Sequence, residues 1–422
     1  MDVAVVVLFL GVLIFLGNLF SRIFALTRIP DILLLIVIGI LTGPVLGLIT
    51  PEAFGIAGPL FTTVTLAVIL FEGGLHLQTA TIRSAFRGTI SLTVVSFIAT
   101  MLIAAGILVY LHLLEPLPAL MLGAAIGGTS SAVVIPMIEF LHLGKNSHAI
   151  LSLESAVTDV LCIVVMLTLL DVYHLGELDI PFVGLRLVSS FLVAGVIGVI
   201  GGVLWSVLYP HLKTIKSIFL TPAFVFIIYG IATLLGFSGA IAALAFGITL
   251  GNLKSFSISR WLPGSHVEQV ELSTLEVTFL SQLVQLLKTF FFIYLGLSII
   301  LTDTEALKIG LIITVILFAA RIVIVRFFIP KSIPVWDASI TAVMIPKGLA
   351  GAVLAAIPLQ MGVVGGLFIE TTTYGIILFS IVICSILVLL LEKTRLKRVY
   401  AFFFRKFGKE EETQPGASPP TS

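Results

Sequence analysis

Two carboxylates stand inside one apolar run of this chain: LSLESAVTDVLCIVV, from Leu151 to Val165, carries Glu154 and Asp159. An ionisable side chain at that depth in a bilayer costs about 2.5–3.5 kcal/mol, so each needs a physical reason. Five residues of α-helix separate two side chains by about 140°, and the two carboxylates therefore do not share a face. Ser155 and Asp159, four apart, do share one, and Glu154 and Thr158 form a second stripe. The first stripe offers a carboxylate with a hydroxyl, which suits a proton or a small hard cation. The second offers a carboxylate that needs a partner of its own. Three cations lie within other apolar runs: Lys288, Arg321 in LFAARIVIV, and Lys347 in IPKGLAGAVLAAIP. A permanently charged, fork-shaped guanidinium suits a permanently ionised carboxylate better than an ammonium does. Arg321 is therefore the expected structural partner of Glu154, which leaves Asp159 to bind and release charge. Glu72, in FEGGLHL, reads equally well as a snorkelling rim residue or a functional one. It stands with Lys347 as a secondary candidate. His76 and His142 fall near the ends of their runs and read as interfacial residues. Cys162 and Cys384 have no paired spacing and read as packing residues.

The segments that must position these residues carry two interruptions. GAAIGGTSSAVVIP, from Gly123 to Pro136, places glycines, hydroxyls and a proline in mid-run; IPKGLAGAVLAAIP, from Ile345 to Pro358, places Pro, Lys and Gly there. Backbone groups freed by such breaks cannot face lipid and survive only where protein or a wet cavity surrounds them. Thr129 and Ser130 sit at the first break and Lys347 at the second, so both breaks point to one site. Gly198 and Gly202, by contrast, read as close-packing glycines.

Composition requires the membrane. Of 422 residues, 59% are hydrophobic and 11% charged, and the mean hydropathy is +1.22, too little polar surface for a water-soluble globule. A span needs about 20 mainly apolar residues. About thirteen candidates follow, near residues 3–21, 31–49, 58–76, 89–111, 117–138, 149–170, 183–207, 217–235, 239–252, 276–300, 308–329, 336–357 and 371–392. The first stretch lacks a basic leader and a small-residue cleavage site, and reads as a retained span. With the N-terminus outside, Lys and Arg collect on the inner side, and only Arg186 and Lys308 fall outside. The outer connections carry Glu52, Glu115, Asp171, Glu177, Asp179, Asp303 and Glu305 instead. The two broken spans lie an odd number of helices apart and so cross in opposite directions, the mark of an inverted repeat. The expected fold is thus an all-α polytopic membrane protein with two broken helices meeting at mid-membrane. Residues 1–393 form the membrane domain, and 394–422 form a short cytoplasmic tail whose last ten residues read as disordered. A net charge of +1 gives no footprint for nucleic acid.

At this point the motifs resemble the NhaP-type sodium/proton antiporters of the monovalent cation/proton antiporter superfamily. The likeness rests on Phe71–Leu77, Gly127–Pro136, Leu153–Val165, and the two stretches around Arg321 and Lys347. It implies a thirteen-helix fold of the cell membrane, in which a six-helix core moves against a dimerising panel. It also implies a monovalent cation held by Asp159, Ser155 and Thr129, with Glu154 and Arg321 paired inside the core. Lys347 stands where relatives usually carry Arg. Two departures are visible: Thr158 precedes the aspartate where relatives usually have Asn, and Thr129-Ser130-Ser131 replaces Thr-Asp-Pro. The same TSSAVV run is similar to the potassium-efflux branch, so sodium and potassium both stay open.

The mechanism implied is competition at one carboxylate, with Thr129, Ser130, Ser155, Thr158 and unwound carbonyls replacing the cation's lost hydration. One titrating carboxylate predicts one cation per proton, with no net charge moved and no cofactor. A channel would need a repeated carbonyl filter, which the sequence lacks. An intramembrane enzyme would need a nucleophile–base or metal set, and neither HExxH nor GxSxG occurs.

Overall fold

The computed structural model describes residues 11–12, 14–17, 19–20, 30–54, 57–76, 79–141, 143–175, 180–212, 218–253 and 273–408. Most of the first candidate span, most of the 252–274 connection, Arg22, Arg28, Lys213, Lys216, Lys254, Arg260 and the chain beyond 408 lie outside them. So do the side chains of His76, Arg83, Arg87, His142, Lys145 and Arg186.

Helices account for nearly all regular structure in these residues. In chain order they are α1 (Asp31–Ile40, continued by a π-turn over Leu41–Val45), α2 (Ala57–His76), α3 (Thr79–Tyr110), α4 (Pro116–Ala125), α5 (Ser131–Phe140), α6 (Lys145–Leu175), α7 (Ile180–Leu212) and α8 (Leu220–Leu234). Then come α9 (Gly239–Gly251), α10 (Thr274–Ser298), α11 (Thr304–Phe328), α12 (Val335–Val343), α13 (Leu349–Gln360), α14 (Gly366–Lys393) and α15 (Leu396–Phe403). Every candidate span from 31–49 to 371–392 coincides with a helix or, at the two expected breaks, with a helix pair. Among the described residues, six helices are long and apolar enough to cross a bilayer unaided, and shorter apolar helices accompany them. Large apolar side chains such as Leu102, Ile200, Val315 and Phe327 stand exposed on the outside of the bundle, where a lipid solvent favours them.

Packing divides the helices into two groups. The first contains α1, α2, α7, α8, α9 and α10, where α9 packs on α2, α7 and α8 while α10 packs on α1 and α2. Backbones touch at the α2–α9 crossing: a Cβ on Gly247 would lie 2.2 Å from the Phe71 carbonyl oxygen. Small residues therefore set the helix separation there, as they do in membrane bundles generally. Gly198 and Gly202 of α7 serve the same approach, against the Ala242 carbonyl and the Thr249 side chain of α9. Polar links also lie within this group. Lys288 of α10, left unassigned by the sequence, lies 3.4 Å from Asp31 of α1. Glu276 closes a capping box with Ser273 at the start of α10 and also accepts the Tyr209 hydroxyl of α7.

The second group contains α3, α4–α5, α6, α11, α12–α13 and α14. Each half reads long helix, broken helix, long helix, and the halves interlock: α3 packs on α11, α4 on α13 and α14, and α13 on α6. Connections sort onto two sides. The Gly144 N–H donates to Asp337 at the start of α12 (3.0 Å), on the side where Lys331 and the α15 region lie. On the other side, His174 at the end of α6 reaches the Met361 carbonyl, and Tyr173 accepts the Val364 N–H. Among the described residues, Lys331 and α15 thus lie on one side and the Asp171 end of α6 on the other.

Candidate functional site

Ala125 ends α4 and Ser131 begins α5; Val343 ends α12 and Leu349 begins α13. The two unwound stretches between them cross. The Ser130 N–H donates to the Pro346 carbonyl at 2.7 Å, joining the breaks directly. Other freed groups find hydroxyls: the Lys347 N–H donates to Ser380 of α14 (2.9 Å), and the Thr129 N–H donates to Thr158 of α6 (3.1 Å). Such pairing allows non-helical backbone inside a membrane protein. The N-termini of α5 and α13 and the C-termini of α4 and α12 converge here. Partial positive and negative backbone charge consequently lie within one small volume.

Asp159 faces this crossing and is partly buried. Its Oδ2 accepts a long 3.4 Å bond from Ser131 at the first residue of α5. Gly128 leaves room beside it, since a Cβ there would lie 3.4 Å from Asp159 Oδ1 and 2.9 Å from the Cys162 sulfur. One weak hydrogen bond leaves most of the carboxylate's acceptor capacity unused. Thr158 and Ser155 are fully buried in α6. The Thr158 hydroxyl donates to the Ser155 carbonyl while accepting from Thr129, and the Ser155 hydroxyl donates to the Ser152 carbonyl.

The structure thus brings Asp159, Thr129, Ser130 and Thr158 to the crossing, with Ser155 one turn away on α6, but it arranges the hydroxyls differently from the sequence reading. Ser131 is the hydroxyl that touches Asp159. Ser130 Oγ is buried with no hydrogen-bond partner among the described residues and faces Gly348, where a Cβ would lie 2.1 Å from it. An unwound segment has no helical period, so spacing could not say which of three consecutive hydroxyl residues turns toward the aspartate.

Gly348 is therefore held by contact distance and not by backbone strain, its φ being −150°. Replacing Gly348 with Ala is expected to destabilise the protein by about 1–3 kcal/mol through overpacking. Ser130→Gly should restore much of that loss. Ser130→Ala should not, because the Ser130 Cβ is itself only 2.3 Å from the added methyl. Thermal unfolding of the four proteins in detergent checks this, and equal rescue by Ala and Gly would refute the proposed contact.

Glu154 points elsewhere, as the 140° separation requires. It is fully buried and meets Arg321 in a two-pronged pair, Nη1 to Oε1 at 2.5 Å and Nη2 to Oε2 at 2.6 Å. Arg321 also donates to Ser96 Oγ of α3 (2.5 Å) and to the Thr341 carbonyl of α12 (3.3 Å). One guanidinium so ties α3, α6, α11 and α12 together, and its last contact lies two residues before α12 unwinds. Lys347 is buried at the crossing, with no carboxylate within ion-pair distance among the described residues. It lines a cavity of about 10 Å³, with room for about one water, together with Ser96, Thr100, Gly127, Thr129 and Arg321. Glu72 is not part of this arrangement: its carboxylate accepts from Ser281 of α10 at 3.4 Å, inside the other helix group. Ser96, Ser131 and Ser380 are the site residues the sequence reading missed. Ser96 carried a signal, since Thr89, Thr93, Ser96 and Thr100 recur at helical spacing in an otherwise apolar run.

Two crossed, broken helices in a bundle of membrane helices, with a lone carboxylate beside the crossing, define a polytopic membrane protein of the inverted-repeat transporter fold. The chain belongs to the sodium/hydrogen exchanger transmembrane family, whose model matches residues 7–393. It is similar to the K(+)/H(+) antiporter NhaP2 of Shewanella sp. (strain ANA-3), 26% identical over 372 residues that make up 84% of this chain and 61% of that protein. The chain accordingly spans about three fifths of the length of the NhaP2 relatives it matches. Na(+)/H(+) antiporter 1 of Methanocaldococcus jannaschii is 25% identical over 319 residues, 72% of this chain and 71% of that protein. In fold the chain is similar to the solved structure of the sodium proton antiporter MjNhaP1 from the same organism at pH 8, with a TM-score of 0.70 at 21% identity, covering 91% of this chain and all of that one. The family drawn from the sequence motifs, and the all-α membrane architecture it implies, hold.

Proposed function

We propose that the protein exchanges a monovalent cation for a proton across the cell membrane by alternating access, with Asp159 as the group for which the two ions compete. The observation that carries this reading is the position of Asp159: a carboxylate with one long hydrogen bond, beside the crossing of two unwound segments. A dehydrated cation there can draw on the carboxylate, on Thr129, Ser130, Ser131 and Ser155, and on carbonyls released at the ends of α4 and α12. A proton on Asp159 removes the charge that attracts the cation, so one ligand excludes the other. Either ligand neutralises the carboxylate and lets the core group, α3–α6 with α11–α14, reorient against the α1–α2 and α7–α10 group. The bare anion holds it back. The α1–α2 and α7–α10 group is the surface through which a homodimer would form, with the N-terminus outside and the C-terminus in the cytoplasm.

Relatives named for potassium and for sodium match at similar identity, so both ions belong in the test. Purified protein in vesicles should dissipate an imposed pH gradient saturably when lithium, sodium, potassium or rubidium is added in turn, and the ranking gives the substrate. Ohmic current without proton coupling would instead mean a channel.

Stoichiometry follows from the same arrangement. Glu154 is held by Arg321, and Thr158 and Ser130 cannot titrate where relatives carry a second polar or acidic group. Asp159 is then the one carboxylate at the crossing, so one cation leaves for each proton that enters. Sodium-driven exchange in vesicles clamped with a potassium gradient and valinomycin is expected to run at the same rate at either sign of potential. Acceleration by one sign would bring in a second titrating group, of which Lys347 stands nearest the crossing.

A further inference from the structure

The expected tail does not simply leave the bundle. After α14 ends at Lys393, the chain forms α15 and folds back along the core group as far as Gly408. Leu396, Tyr400, Phe404 and Phe407 form its inner side, the last three buried. Lys397 Nζ stands 5.0 Å from the Trp336 ring centre, and Lys331 Nζ stands 4.3 Å from that of Phe407. Backbone bonds finish the attachment: the Gly408 N–H donates to Lys331 and Ile333, and the Gly408 carbonyl accepts from Val335, the first residue of α12.

The other side of α15 is apolar as well. Phe402 is 74% exposed, Val399 52% and Phe403 41%. Within α15, Arg398, Val399, Phe402 and Phe403 follow the spacing of one helix face, and the exposed Arg395 just before the helix and Arg405 and Lys406 just after it bracket this apolar strip. From Lys393 to Gly408 the chain has six basic residues and no acidic one. Only Thr394 and Arg395 separate α15 from a 28-residue apolar helix, which fixes it at the bilayer surface. An aqueous protein partner does not account for that placement. An apolar strip flanked by cations at the membrane boundary matches acyl chains below and anionic headgroups above.

We infer that α15 is a lipid-binding surface of the core group, its Val399, Phe402 and Phe403 lying in the acyl boundary and its Arg395, Arg398, Arg405 and Lys406 binding the phosphates of acidic phospholipids. Because Gly408 is bonded to the connection that leads into α12, the lipid is held by the same body that carries the broken helices. The surface is distinct from the Asp159 site, and its test does not depend on transport.

A tryptophan at position 402 reports where this face lies. The full-length Phe402→Trp protein is reconstituted into phosphatidylcholine vesicles with or without phosphatidylglycerol, with bromine on the acyl chains of one lipid or the other. The unsubstituted protein, with its three tryptophans, supplies the background. The added emission should be quenched by brominated lipid and not by aqueous iodide, with phosphatidylglycerol preferred at least about fivefold, the worth of one basic residue at a charged surface. In the same protein carrying Arg395→Gln, Arg398→Gln, Arg405→Gln and Lys406→Gln, the preference should fall to about one. Quenching by iodide alone, or equal quenching by the two brominated lipids before any arginine is changed, overturns the inference. Should the fourfold variant fail to fold, the comparison of the two lipids with Phe402→Trp alone still decides.

Discussion

Asp159→Asn is expected to reduce cation/proton exchange to the rate of empty vesicles while the protein folds, inserts and melts as the parent does. The amide matches the carboxylate in size and can still accept a hydrogen bond from Ser131, the one side chain among the described residues bonded to it, at 3.4 Å. What it loses is charge. An amide neither takes up a proton near neutral pH nor neutralises a bound monovalent cation, so both halves of the cycle fail together. The variant should also stop cation from shifting the melting temperature, because a ligand stabilises only a state that binds it. Scintillation or calorimetric binding of sodium and potassium to the detergent-solubilised protein gives the same answer without vesicles. Substantial residual proton-coupled flux in Asp159→Asn would remove this residue from the centre of the mechanism. Ser131→Ala serves as the comparison: it deletes the neighbouring hydroxyl but keeps the carboxylate, and should weaken cation affinity without abolishing exchange.

Much of this arrangement can be read from the amino-acid order because the membrane leaves the chain so few options. Glycine, hydroxyl residues and proline within an apolar run predict a broken helix wherever they occur, and Gly127–Ser130 and Pro346–Gly348 are unwound as predicted. The five-residue spacing likewise separates Glu154 from Asp159, and only a guanidinium in a facing span suits the first of them. Other features depend on contacts between distant segments. Asp31 and Lys288 are joined by helix packing across more than half the sequence, which neither helix encodes alone. The role of Ser131 turns on the path of unwound backbone, where no period constrains the side chains. Residues 396–408 look like the start of a tail because eight helical residues fall far below a span's length, yet Tyr400, Phe404 and Phe407 bury enough apolar surface to hold them against the core.

Breaking the Glu154–Arg321 pair should cost more stability than any other single change considered in this protein. Glu154→Gln leaves a guanidinium buried at 2% exposure without its counter-charge, and removing one member of such a pair costs about 3–5 kcal/mol. Arg321→Gln should be worse. It strands Glu154 in the same way and also gives up the donors to Ser96 and to the Thr341 carbonyl, which connect α11 to α3 and to the last full turn before the break in α12. The double variant Glu154→Gln with Arg321→Gln contains no stranded charge, so its loss should fall short of the sum of the single losses by about 0.5–3 kcal/mol, the coupling expected of residues in contact. Unfolding in detergent, followed for all four proteins under one set of conditions, yields that coupling, and strictly additive losses would mean the two are not partners. The swapped variant, Glu154→Arg with Arg321→Glu, separates attraction from geometry. It restores opposite charges but turns a carboxylate toward the Thr341 carbonyl, two acceptors with no proton between them. Recovery should therefore be poor. Full recovery would show that charge balance alone matters and that the contacts to Ser96 and Thr341 contribute little to holding α12 at the crossing.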